Sequence, residues 1–173
     1  MTRDITTIMV PTDFSYASDA ALGYARMLAA RFGASLHLLH VLDEPGSWSE
    51  VYAAIPDVRD RLTADADRRL AALAACLPAN LRATSEVLNG APVPTIVRVA
   101  ESRGIDLIVM GTHGRRGMGH LLLGSVAERV VRLAPCPVLT VREQRAAQNV
   151  EVGAAAEASD RAVPVISSVE AAT

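Results

Sequence analysis

Apolar residues recur along this chain in two alternating rhythms. Ile5 to Val10 is a short β-branched run stopped by Pro11, and Leu36 to Leu42, Arg82 to Leu88, Ile105 to Met110 and Pro137 to Val141 read as four further strands. Between them the spacing turns helical. Ser15 is placed to cap a helix in which Ala21, Ala25, Leu28 and Phe32 recur before Gly33 ends it. Val58 to Leu77 is a second helical stretch ended near Pro78; a third follows Gly90-Ala-Pro-Val-Pro94 with Ile96, Val97 and Ala100 on its buried face; a fourth carries Val126, Val130 and Leu133 and stops at Pro135.

Strands separated by helices pair in parallel, because a parallel crossover needs a dozen or more residues and is nearly always right-handed. The pattern therefore predicts an α/β fold: a doubly wound, Rossmann-like, five-stranded parallel sheet with helices on both faces. Strands one and four are short and almost purely apolar, as central strands are, and both run directly into turn-rich segments. This puts Pro11-Thr-Asp13 beside Gly111 at a binding crevice. Residues 143–173 change character to Ala, Glu, Ser and Val without a helical stripe, and are expected to form a flexible tail after a domain spanning residues 1–142.

Composition narrows the chemistry. Half of the 173 residues are apolar but only 3% are aromatic, so the core must be aliphatic. The net charge of −2 and the pI near 6.1 give no electrostatic footprint for nucleic acid or an anionic membrane surface. All 17 basic residues are Arg; without lysine, a P-loop lysine, a Schiff base and a kinase-type strand lysine are excluded. Cys76 and Cys136 lie far apart outside any metal-ligand spacing and read as buried thiols. No apolar run approaches a membrane span or a signal-peptide core, so a cytoplasmic setting is expected. His37 and His40, among the leucines of strand two, read as packing residues. Asp60, Asp65 and Asp67 interleave with Arg59, Arg61, Arg68 and Arg69 as a solvated, salt-bridged helix face. Trp48 and Tyr52 either pack or cover a ligand or an interface.

The candidate chemistry lies in Gly111-Thr-His-Gly114, nine residues, then Gly124-Ser125, between the run Leu107 to Met110 and the fourth helix. Glycines allow backbone to approach an anion, and a helix N-terminus offers unpaired N–H groups and the positive end of its dipole. With Ile8-Met-Val-Pro-Thr-Asp13-Phe-Ser, His40-Val41 and Pro135-Cys-Pro-Val-Leu, this pattern resembles the universal stress protein family, in its ATP-binding branch, from about Ile5 to Arg142.

The resemblance implies strand order 3-2-1-4-5 and bound ATP with Mg²⁺ as its companion. Thr12 and Asp13 would contact the nucleoside, and the backbone of Val41 would read the adenine edge. Gly111, Gly114 and Gly124 would admit the phosphates, met by the Ser125 hydroxyl and the N–H groups of Ser125 and Val126. Pro11 and Met110, flanking these positions, and His113 and Arg115 inside the loop complete the expected set, with Arg116 a further phosphate candidate. Each has a plainer alternative: Asp13 and Ser125 as helix caps, Gly111 and Gly114 as turn glycines, His113 and Arg115 as exposed loop residues. The resemblance also implies a homodimer through strand five, Pro137 to Val141, and leaves room for an unknown protein partner. No general base or activated nucleophile is evident, so a nucleotide-dependent stress-response protein is favoured over a slow ATP hydrolase or phosphotransferase, and over a scaffold that has lost its nucleotide.

Overall fold

The structure, a computed structural model, describes residues 4–43, 55, 57–112 and 123–142. The elements run β1 (Thr7–Pro11), α1 (Tyr16–Phe32), β2 (Ser35–Leu42), α2 (Val58–Ala75), β3 (Ala83–Asn89), α3 (Pro92–Ser102), β4 (Leu107–Gly111), α4 (Ser125–Leu133) and β5 (Val138–Val141). All strand pairs are parallel, in the order β3-β2-β1-β4-β5. Both the doubly wound class and the strand order expected from the sequence are therefore present.

The sheet separates two apolar layers. Ile8, Val10, Leu36, Leu38 and Val109 pack against α1 and α2, whereas Met9, Leu39, Ile108 and Met110 pack against α3 and α4. Alternate residues of a strand point to opposite faces, so each central strand feeds both layers. At the lower end, the Asp106 carboxylate accepts from the backbone N–H groups of Thr6 and Thr7 at 3.0 and 3.1 Å and from the Thr6 hydroxyl at 2.7 Å. It pins the entry of β4 to that of β1.

Helix boundaries follow local chemistry. Ser15 accepts the Ser18 N–H at 3.3 Å as the N-cap of α1, and Gly33 closes the helix in the left-handed region at φ 66°. The buried stripe differs from the expected one: Ala17, Ala21, Ala25 and Ala29 face the sheet, Leu28 is half-buried and Phe32 is 51% exposed. Small side chains at i, i+4 spacing let α1 lie close to the strands, and Phe32 falls on the last turn where the sheet no longer covers it. On α3, Val93, Thr95, Ile96, Val99 and Ala100 are buried and Val97 only half-buried. On α4 the buried pair is Ala127 and Val130, with Val126 and Leu133 exposed. The stripe that packs on the sheet runs instead from Leu123 through Ala127 and Val130 to Ala134.

Cys76 is exposed at the C-cap of α2, which overturns the buried-thiol expectation there, and Cys136 is half-buried. The Arg and Asp residues of α2 do form a solvated face, with Arg68 and Asp65 paired at 2.9 Å.

Candidate functional site

The upper ends of β1, β2 and β4 form one edge of the sheet. β1 and β4 pair only at Ile8–Leu107 and Met9–Ile108, so they part above that point, where the strand order reverses direction. Open α/β sheets bind ligands at this switch point.

The segment leaving β1 is held tightly. The Thr12 N–H donates to the Leu39 carbonyl at 2.8 Å, adding a rung beyond Pro11. Its side chain is buried; the hydroxyl donates to Ser18 Oγ at 3.0 Å and accepts the Phe14 N–H at 3.0 Å. Asp13 Oδ1 accepts the Ser15 N–H at 3.1 Å, while Ser15 itself caps α1. Phe14 between them has φ 61°, a left-handed conformation unusual for a bulky residue. His40 Nδ1 lies 2.7 Å from the Thr12 carbonyl, and its ring centroid 4.4 Å from that of Phe14. A carbonyl only accepts, so Nδ1 carries the proton in this bond.

Backbone direction gives Val41 its place. Leu36 and Leu42 bond to the β3 side, through Arg82 and Gly90, whereas Ser35 and Leu39 bond to the β1 side. Val41 continues the second set, but the β1 register ends with Pro11 opposite Leu39. Its N–H and C=O therefore point past the end of β1.

Across the crevice, β4 approaches α1 closely at Gly111, where an added Cβ would lie 2.8 Å from the Ala17 carbonyl carbon. Thr112, also buried, donates its N–H to the Val141 carbonyl at 2.8 Å and accepts the Gly124 N–H at 2.7 Å. Thr112 and Gly124 are thus bonded directly to each other. Gly124 is the N-cap of α4 and offers no side-chain cap, and Ser125 and Val126 are exposed in the first turn. Among the described residues, the helix presents its first N–H groups and dipole without a capping side chain.

A short loop, a strand switch and an uncapped helix define the site, and residues 4–142 match the model of the Universal stress protein family. The chain belongs to the universal stress protein family. Universal stress protein MJ0531 of Methanocaldococcus jannaschii is 35% identical over 146 residues, covering 80% of this chain and 82% of the relative. The solved structure of MJ0577 from the same organism is similar at TM-score 0.74 and 30% identity, with 82% of this chain and 99% of that one covered. A universal stress protein solved in complex with cAMP is similar at TM-score 0.54 and 28% identity, over 82% of this chain and 100% of that one.

Within this family fold, Pro11, Thr12, Asp13, Val41, Gly111, Gly124, Ser125 and Val126 come together at the upper sheet edge and the start of α4. Met110 does not: its side chain is 5% exposed and packs beneath α3 and α4, because strand alternation turns it into the second apolar layer. Ser125 is not the helix cap, that position being Gly124, and Gly111 is a strand residue at a close approach to α1, not a turn glycine. His113, Gly114 and Arg115, with Arg116, Trp48, Tyr52 and residues 143–173, lie outside the described residues.

The histidines do more than pack. His37 is buried at the lower end of β2, with Nδ1 2.8 Å from Thr84 Oγ1 and Nε2 2.9 Å from Glu86 Oε1, and Arg103 completes the group with two bonds to Glu86. Burial lowers the His37 pKa, against the pull of Glu86. Burial raises the Glu86 pKa, but bonds from Arg103 and His37 outweigh it and the net shift is downward. Among the described residues no three His, Cys, Asp or Glu side chains converge as a metal site, and no helix is long and apolar enough to cross a membrane.

Proposed function

We propose that this universal stress protein binds an adenine nucleotide, ATP by the family resemblance, in the crevice above β1 and β4, and that occupancy alters its conformation or choice of partner. The observation that carries the reading is the α4 start: a helix of nine residues begins beside a glycine-bounded loop with no side-chain cap. An anion there receives N–H donors and a favourable dipole. The direction of the Val41 backbone supports an adenine edge on the opposite side, and the cAMP complex of a similar family member supports the nucleotide class.

In this reading Asp13 meets the ribose, Val41 the base, and Ser125 and Val126 the phosphates. With no lysine in the chain, charge on the phosphates is balanced by N–H groups, the Arg115 side chain and Mg²⁺ carried on the nucleotide. Magnesium, when bound, would neutralise phosphate charge. The place of β5 at the edge of the sheet among the described residues supports the homodimer, since an edge strand can offer backbone groups to a second copy. A cytoplasmic location fits this ligand.

The test is direct. Protein purified without added nucleotide is denatured and its supernatant resolved by chromatography, and ATP is titrated while the melting temperature is followed. Bound adenine nucleotide or a clear rise in melting temperature is expected, weakened by Asp13→Ala and Gly114→Val. Neither signal in wild type would sink the proposal. Multiple turnovers of ATP abolished by Asp13→Ala would instead make the protein a hydrolase.

A further inference from the structure

We propose that His40 is a positioning residue of this site: through the Thr12 carbonyl it sets the conformation of the Thr12-to-Ser15 segment, and Phe14 links that constraint to Arg69 on α2. The inference rests on the nucleotide reading and adds a residue that does not itself need to touch ligand.

The anchor is firm. His40 belongs to β2 and pairs with Val87 of β3, so its backbone is fixed in the sheet while its ring reaches the residue that follows β1. The Thr12 peptide groups are then held on both sides, by the Leu39 carbonyl at the N–H and by the imidazole at the carbonyl. With Thr12 held, the orientation of Asp13 depends on the next residue, Phe14. Its left-handed conformation persists only where surroundings over-determine it.

Three contacts do so. The Phe14 N–H is taken by Thr12 Oγ1, one ring face meets His40 at a tilt of 36°, and the Arg69 guanidinium carbon sits 4.1 Å from the ring centroid. His40 thus braces the loop twice, by hydrogen bond and by ring contact. It also immediately precedes Val41, so the residue offering its backbone to the base and the residue positioning Asp13 are neighbours on one rigid strand. A change in the loop conformation is transmitted to the exposed face of α2 through Phe14 and Arg69.

The experiment uses the full chain with His40→Leu, which loses the donor, and His40→Asn, whose amide nitrogen occupies the place of Nδ1 and keeps it. Amide exchange at Phe14 and Ser15 is measured without nucleotide, with Leu38 and Leu39 as controls for the intact sheet, and ATP affinity is measured by calorimetry. In His40→Leu, exchange at Phe14 and Ser15 is expected to accelerate about tenfold or more and ATP to bind about tenfold more weakly. His40→Asn should stay within about twofold of wild type on both counts. Arg69→Ala should move exchange at Phe14 in the same direction by less. Unchanged exchange or unchanged affinity in His40→Leu overturns the positioning role, as does an Asn variant as impaired as Leu. If wild type binds no ATP, the nucleotide reading fails by itself, and the exchange data still decide whether His40 holds the loop.

Discussion

Gly111 and Ala17 touch where β4 meets the first turn of α1: a Cβ on Gly111 would stand 2.8 Å from the Ala17 carbonyl carbon and 2.9 Å from both its Cβ and its carbonyl oxygen. The glycine is required by packing, whatever binds above it. Gly111→Ala should therefore destabilise the fold by about 1–3 kcal/mol, the usual range for overpacking. Ala17→Gly in the same chain should restore only part of this, because two of the three colliding atoms are backbone. Urea denaturation of the single and double variants reads the effect directly; full stability in Gly111→Ala would show that α1 can move away freely.

Acid should weaken the fold from the lower end of the sheet. His37 and Glu86 both have folded pKa values below their ordinary 6.5 and 4.5. The unfolded chain therefore binds protons more readily, and stability present above those ordinary values falls as pH drops. The His37 contribution begins to fade below about pH 6.5, that of Glu86 only in the carboxylate range. Unfolding free energy compared at pH 7.5 and 5.5 should drop in wild type, with a smaller drop in His37→Gln. Equal drops in both would remove His37 as the cause.

What the sequence revealed divides along physical lines. The ends of α1 were legible because Ser15 and Gly33 act on the backbone within a turn of themselves. Its buried face was less so: Ala17, Ala21, Ala25 and Ala29 compete with Leu28 and Phe32 in an apolar helix, and only the close approach of β4 selects the alanines. Alternation within β4 carries Met110 into the layer beneath α3 and α4, whereas its neighbour Gly111 turns towards α1. His40 was hidden for another reason. Its partner, the Thr12 carbonyl, is 28 residues away and carries no side-chain signature, so the bond exists only once β1 and β2 are paired. Val41 was reached only through the family resemblance, because the direction of its backbone is set by the register of β1 and β2.

The start of α4 allows a test in which stability and binding move oppositely. Ser125→Glu places a negative charge at the N-terminus of an uncapped helix, where it should leave the unliganded fold unchanged or stabilise it by about 0.3–1 kcal/mol. The same carboxylate would repel phosphates, so ATP affinity should fall by about tenfold or more. Melting curves with and without ATP separate the two effects. A variant that binds ATP as wild type does would move the phosphates elsewhere.

The β5 edge offers different side chains for testing assembly and fold. Leu139 is 38% exposed, whereas Val141 is 6% exposed and belongs to the layer beneath α1 and α2. A charge at Val141 would therefore unfold the chain before reporting on any partner, since an unpaired buried charge is among the costliest substitutions. Leu139→Glu avoids this and sets like charges against one another where two β5 edges meet. Wild type should sediment as a dimer and Leu139→Glu as a folded monomer with an unchanged far-ultraviolet circular dichroism spectrum. A dimer that survives Leu139→Glu would have to form through another surface, and a monomeric wild type would remove the dimer altogether.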